Sequence, residues 1–140
     1  MVIADTGFWV ALYNRRDRHH QAALDAAERY DAEGFITTHV VIAEACHLLH
    51  RREHAGVMLQ FIEALRDGPV EIMDLRVDDL AQIARLMHKY RELPMDYADA
   101  SLVLLAEYLG HGRILTTDRR DFGSYRWKSR HPFESLMDTL

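Results

Sequence analysis

The sequence predicts a single α/β domain built on a parallel sheet, and three observations carry that expectation. Short apolar runs suited to buried strands alternate with stretches at helical spacing, the pattern of βαβ units. Gly34, Gly68-Pro69, Pro94 and Gly110 punctuate these runs. The 140 residues suit one domain, residues 1–140, large enough to bury a core without covalent staples.

Taken in order, Met1–Ala4 reads as a buried strand that stops at Asp5. Thr6–Tyr13 is a short apolar helix closed by Asn14 and the charged residues after it. A second helix runs to about Tyr30, with Asp17 as its expected N-cap. Gly34 ends that unit and Phe35–Thr38 forms the second strand. Helical spacing then covers His39 to about Arg52 and about Ala55 to Arg66, stopped by Asp67-Gly68-Pro69. Val70–Leu75 alternates as a third strand. Val77–Arg91 is amphipathic, with Leu80, Ile83, Ala84 and Met87 expected inward. After Pro94, a helix from Asp96 or Tyr97 to about Tyr108 is apolar almost all round and so expected to be packed on most sides. Ile114–Thr117 is a fourth strand ending at Asp118, and a fifth falls near Phe133–Met137.

Composition removes several classes. Cys46 is the single cysteine, which excludes an internal disulfide scaffold and suits a reducing compartment. No apolar run approaches a membrane span, and the N-terminus lacks a basic leader, so a soluble cytoplasmic protein is expected. The net charge of −5 argues against a protein that coats nucleic acid, though not against one that cuts it. That charge is uneven: His111–His131 carries a local +4 and the remainder −9. Fifteen of the 17 basic residues are arginine, the side chain best shaped for forked contacts to phosphate.

Five acids stand where acids need a reason. Asp5 and Asp118 sit just beyond strand ends, the sheet edge where open α/β folds bind ligands. Glu44 interrupts an apolar helical segment, and Asp96 and Asp99 share a face at the start of the apolar helix. Each has a structural alternative: Asp96 as a helix cap, Glu44 as an arginine partner, Asp118 as a turn residue. Converging in one pocket, they would need a cation, and hard carboxylate oxygens select Mg²⁺ or Mn²⁺.

The ordered set Ile3-Ala4-Asp5-Thr6, Asp17-Arg18-His19-His20, the Glu44 helix, Pro94-Met95-Asp96-Tyr97-Ala98-Asp99-Ala100-Ser101-Leu102 and Thr116-Thr117-Asp118-Arg119-Arg120-Asp121-Phe122 resembles a PIN-domain ribonuclease. Within that family it resembles the VapC-type toxins of toxin–antitoxin pairs, along essentially the whole chain. The resemblance implies a three-layer α/β/α fold, a five-stranded parallel sheet in the order 3-2-1-4-5 flanked by helices. It implies Asp5, Glu44, Asp99 and Asp118 as the catalytic quartet, with Asp5, Asp99, Asp118 and the accessory Asp96 around the metal. Thr6 and Thr116 match the small hydroxyl positions beside the first and last acids. Many VapC-type members carry asparagine where this chain has Asp118.

The implied activity is Mg²⁺- or Mn²⁺-dependent endoribonuclease cleavage to 5′-phosphate and 3′-hydroxyl ends. Because an acidic pocket repels RNA, a basic rim is needed, and Arg113, Arg119, Arg120 and Arg126 are its candidates. A small antitoxin and a homodimer are the implied partners. The competing readings are a housekeeping RNA-processing nuclease and a PIN-like binding module without catalysis. A response-regulator receiver lacks its lysine here, and a haloacid-dehalogenase-like phosphatase lacks its paired aspartates. His47, His50 and His54 share a helix face better read as solvated than as a zinc site. His19 and His20 are read as capping or packing residues, and Phe8, Trp9 and Tyr13 as core or dimer surface.

Overall fold

The structure is a computed structural model and describes residues 1–137. Strand β1 (Val2–Ala4) lies at the centre of a parallel sheet, joined on one side to β2 (Phe35–Thr38) and through it to β3 (Val70–Met73). On its other side β1 pairs with β4 (Arg113–Leu115), which pairs with the last strand, Glu134–Ser135. The order is therefore 3-2-1-4 followed by the C-terminal strand, the topology the family resemblance implies. Helices α1 (Thr6–Tyr13) and α2 (His20–Tyr30) connect β1 to β2, and α3 (His39–Arg52) and α4 (Ala55–Asp67) connect β2 to β3. A 3₁₀ turn (Val77–Asp79), α5 (Leu80–Lys89) and α6 (Tyr97–Leu109) return the chain to β4. The strand order reverses between β1 and β4, and this reversal opens the crevice at their carboxyl ends.

The central strands are apolar on both faces because both are covered: Val2, Ile3, Ala4, Ile114 and Leu115 are fully buried. Helix α6 is buried from Ala100 through Ala106, as its all-round apolar sequence predicts. Gly110 closes α6 with φ of 76°, the left-handed conformation glycine adopts without a Cβ clash. Among the described residues no helix is long and apolar enough to cross a membrane.

Four local expectations change. Asp17 does not cap α2; its Oδ1 accepts from the His19 amide at 2.8 Å, and the helix begins only at His20. The helix expected from Val77 opens as a 3₁₀ turn because the Asp79 carboxylate folds back onto the Arg76 amide (2.8 Å) and also takes the Tyr108 hydroxyl. Its buried stripe is consequently Ile83, Leu86 and Tyr90, while Leu80 and Ala84 are exposed. Between α7 (Arg119–Ser124) and the last strand, β5 (Arg126–Trp127) and β6 (His131–Pro132) form an antiparallel hairpin that the sequence pattern did not announce. Lys128 and Ser129 turn it with positive φ, and the Lys128 amide is anchored on Glu107 at 2.7 Å. The last strand is thus β7 (Glu134–Ser135).

The hairpin packs on Gly112, where a Cβ would lie 2.6 Å from Trp127 Nε1 and 3.2 Å from Phe133 Cδ1. Gly112→Ala must displace the indole that donates to the Pro132 carbonyl, with an expected loss of about 1–3 kcal/mol. Gly123→Ala, whose Cβ meets open space, is the control, neutral or slightly stabilising. Thermal unfolding of the two variants checks this; equal melting temperatures would contradict the packing described.

Candidate active site

The carboxyl ends of β1 and β4 each deliver an aspartate into the crevice. The Asp5 amide donates to the Leu115 carbonyl at 3.0 Å, which ties the residue after β1 to β4. Its Oδ1 accepts from the Thr6 amide and its Oδ2 from the Thr116 hydroxyl, both at 2.7 Å. Thr116 Oγ1 in turn accepts from the Asp118 amide at 2.9 Å, and Asp118 caps α7 by accepting from the Asp121 amide. One continuous set of hydrogen bonds therefore fixes Asp5, Thr116 and Asp118 together.

Helices bring the remaining acids. Asp96 caps α6, its Oδ1 accepting from the Asp99 amide at 2.8 Å, so the capping role weighed from sequence is real. The same residue also lines the crevice, so cap and site lining coincide. Asp99, in the first turn of α6, accepts from the Tyr125 hydroxyl at 3.0 Å. Glu44 projects from α3, whose N-terminus is capped by Thr38.

These side chains enclose a cavity of about 390 Å³ lined by Asp5, Thr6, Glu44, Asp96, Asp99 and Asp118. The sequence reading did not assign Asp17 and Asp121 to the site, and both line it. Their signal was available, since each lies in a motif quoted for the family. Arg52 also lines the cavity, beside seven carboxylates. Tyr125, fully buried behind Asp99, carried no sequence signal, because its role depends on a contact 26 residues away along the chain.

The arginines named for the rim are placed differently. Arg113 starts β4, at the opposite edge of the sheet, and pairs with Glu33. Arg126 spends one guanidinium nitrogen on the Gly123 and Tyr125 carbonyls, each at 2.9 Å. Arg119 and Arg120 are exposed in the first turn of α7, next to Asp118. None of the four lines the acidic cavity.

Crowding of like charge shows in the acid strengths. Burial pushes Asp5 up to about 7; hydrogen bonds from Thr116 and Thr6 oppose this, and the Glu44 and Asp118 charges add to it. Asp99 is likewise pushed up to about 7, by burial first and then by Asp96 and Asp5. Glu44 is raised by burial and by Asp96. The Thr6 hydroxyl is buried with no partner among the described residues.

Such a set suits a divalent ion. All the donors are carboxylate or hydroxyl oxygens, the ligands hard cations take. Among the described residues no three acids or histidines close on one point as ligands of an ion, although the acids line one cavity. His54 instead caps α4, its Nδ1 accepting from the Gly56 amide at 3.1 Å.

An α/β sheet reversing between its first and fourth strands, with acids gathered at that reversal, defines a PIN-type fold. The PIN domain profile matches residues 2–128, and the chain belongs to the PIN domain family. Ribonuclease VapC26 of Mycobacterium tuberculosis is 28% identical over 125 residues, which cover 89% of this chain and 92% of that protein. The crystal structure of Mycobacterium tuberculosis VapC20, a Sarcin-Ricin loop cleaving toxin, superposes with a TM-score of 0.80 at 20% identity. That likeness covers 99% of this chain and 100% of the other, and it establishes the fold.

The raised Asp99 makes the metal-free protein pH-sensitive. Below about pH 4 the carboxyl is protonated in both folded and unfolded chains and contributes nothing. As pH rises to about 7 the unfolded chain loses this proton first, so stability falls, and the full penalty is present above the folded pKa of about 7. Asp99→Asn keeps an acceptor for Tyr125 and removes the penalty. In chelator at pH 8 it is expected to be more stable than the parent by roughly 1–3 kcal/mol, after discounting for partial exposure. The difference shrinks towards pH 4 in thermal melts; a variant less stable at pH 8 would refute the electrostatic account.

Proposed function

We infer that the chain is a metal-dependent endoribonuclease of the VapC type, the toxin of a toxin–antitoxin pair. The observation that carries this reading is the convergence of Asp5, Glu44, Asp99 and Asp118, from four separate segments, on one cavity in a PIN domain. The ribonuclease and RNA-cleaving toxin named among its relatives support it. The reading takes residues 1–140 as one PIN domain.

Asp5 and Asp99 would hold Mg²⁺ or Mn²⁺, with Asp118 and Asp96 contributing directly or through water. A divalent ion held by these residues would supply Lewis acidity, lowering the pKa of water and offsetting charge on the phosphate oxygens. The Thr6 amide and the Thr116 hydroxyl hold the Asp5 carboxylate in place, which sets both residues beside the phosphate to be cut. Glu44, half-buried with its carboxyl raised by burial and by Asp96, would take the proton from the attacking water or orient it. Hydrolysis then leaves a 5′-phosphate and a 3′-hydroxyl. Arg119 and Arg120 supply cationic reach beside Asp118, whereas Arg113 is committed to Glu33. A small antitoxin would silence the enzyme by setting a cationic segment among these acids, and the reading extends to a cytoplasmic homodimer.

Asp5→Asn and Asp99→Asn are each expected to reduce cleavage of a single-stranded RNA in Mn²⁺ by at least about 100-fold. The same variants are expected to show weaker Mn²⁺ binding by calorimetry. Unchanged cleavage in both would overturn the assignment.

A further inference from the structure

A second cavity, of about 530 Å³, lies beside the acidic one and takes the opposite chemistry. It is lined by Tyr13, Arg15, Arg16, His54, Val57 and Gln60, together with the Glu53 carboxylate. The Arg52–Glu53 segment is the wall between the two cavities. Arg52 lines the acidic cavity, its carbonyl accepts from the Arg16 guanidinium at 2.8 Å, and Glu53 lines the second. The two loops that meet here, Asn14–His20 and His50–His54, carry five arginines against two acids. They form a cationic face hidden in the strongly acidic part of the chain.

We propose that this second cavity is a nucleotide subsite, which seats the base and phosphate of an RNA residue flanking the one cut at the acidic cavity. The inference rests on the endoribonuclease reading and adds the site that holds the strand. Arg15 is exposed and free to meet a phosphate, and Arg16 has its guanidinium mostly in solvent. The Arg16–Glu53 contact is long, at 3.5 Å, and the Arg16 side chain is exposed while that of Glu53 is largely covered, so the guanidinium can also meet a phosphate from its solvent side. Tyr13 is half-buried, its ring held 5.5 Å from Phe61, and with Val57 it gives a base an apolar wall. The Gln60 amide can both donate to and accept from a base edge. His54 Nδ1 accepts from the Gly56 amide, so its Nε2 carries the ring proton and donates. A volume of 530 Å³ is in the range of small-ligand sites, and cation, aromatic wall and amide together match a nucleotide better than an acidic peptide.

The test is binding of a fluorescent 12-nucleotide single-stranded RNA by anisotropy in the Asp99→Asn background, which suppresses cleavage. Arg15→Glu and Gln60→Trp both alter exposed positions, so their melting temperatures check that the fold is kept. Each is expected to weaken binding by about 10-fold, and Arg15→Ala to reduce the slope of log affinity against log salt by about 1. Arg66→Glu, at the far end of α4, carries the same charge change and is expected to leave affinity unchanged. If Arg15→Glu and Gln60→Trp bind RNA like the parent, the subsite is wrong. Equal loss in Arg66→Glu would reduce the effect to net charge and overturn it as well. If instead the variants keep RNA and lose a poly-glutamate peptide, the cavity takes an acidic protein segment and the proposal fails. The endoribonuclease reading is tested separately, by whether the unsubstituted protein cuts the same RNA in Mn²⁺.

Discussion

The burial of a single carboxylate governs this molecule. Asp5 follows the central strand, at the point where the sheet order reverses, and is only 6% exposed. A charge held there must be matched by hydrogen bonds or a cation. The Thr6 amide and Thr116 hydroxyl supply hydrogen bonds, yet burial still outweighs them and the acid remains weak. No basic side chain contacts it among the described hydrogen bonds and ion pairs. The fold thus keeps an unsatisfied demand for positive charge at the floor of its crevice, and stability is given up there for binding capacity.

Neutral hydroxyls, not ion pairs, set the spacing of the acids around it. Thr37 Oγ1 donates to the Ala4 carbonyl at 2.9 Å and locks β2 to the strand that ends at Asp5. Thr38 caps α3, which carries Glu44, and its hydroxyl meets that of Ser101 on α6, which carries Asp99, at 2.8 Å. Tyr125 then holds Asp99 from behind, its ring packed edge-on against both Tyr90 and Phe122. Hydroxyl groups orient a carboxylate without cancelling its charge. A lysine or arginine in any of these places would occupy the charge the crevice keeps for a cation.

Much of this was legible in the chain, for identifiable reasons. The β1 and β4 runs are apolar on both faces and end in aspartate, so sequence locates both a buried strand and its site residue. Helix α6 gave itself away by being apolar all round. What escaped depends on contacts between distant segments. Asp79 folds back and meets Tyr108 across 29 residues, which shifted the inward face of α5. The β5–β6 hairpin rests on an anchor from Lys128 to Glu107 rather than on any alternation in its strands. Asp17 read as a helix cap and Asp121 was given no site role, although both lie in the family motifs, and both line the crevice.

Charge is where linear reading and folded surface diverge most. The C-terminal +4 stretch looked like the natural rail for a polyanion, because its arginines are neighbours in sequence. Strand β4 and helix α7 separate them in space: Arg113 faces the amino edge, Arg126 is tied to backbone carbonyls, and only Arg119 and Arg120 stay near Asp118. Two short loops in the −9 remainder, far apart in sequence, meet through Arg16 and Arg52 beside the acids. Coulomb interaction falls with distance through space, not along the chain, and beyond about 10 Å salt screens it. What a phosphate backbone meets is therefore set by which loops the crossovers juxtapose. In this fold the α1–α2 and α3–α4 turns are brought together at the wall of the acidic crevice, so Arg52, from the −9 remainder, lines a cavity that none of the four C-terminal candidates lines.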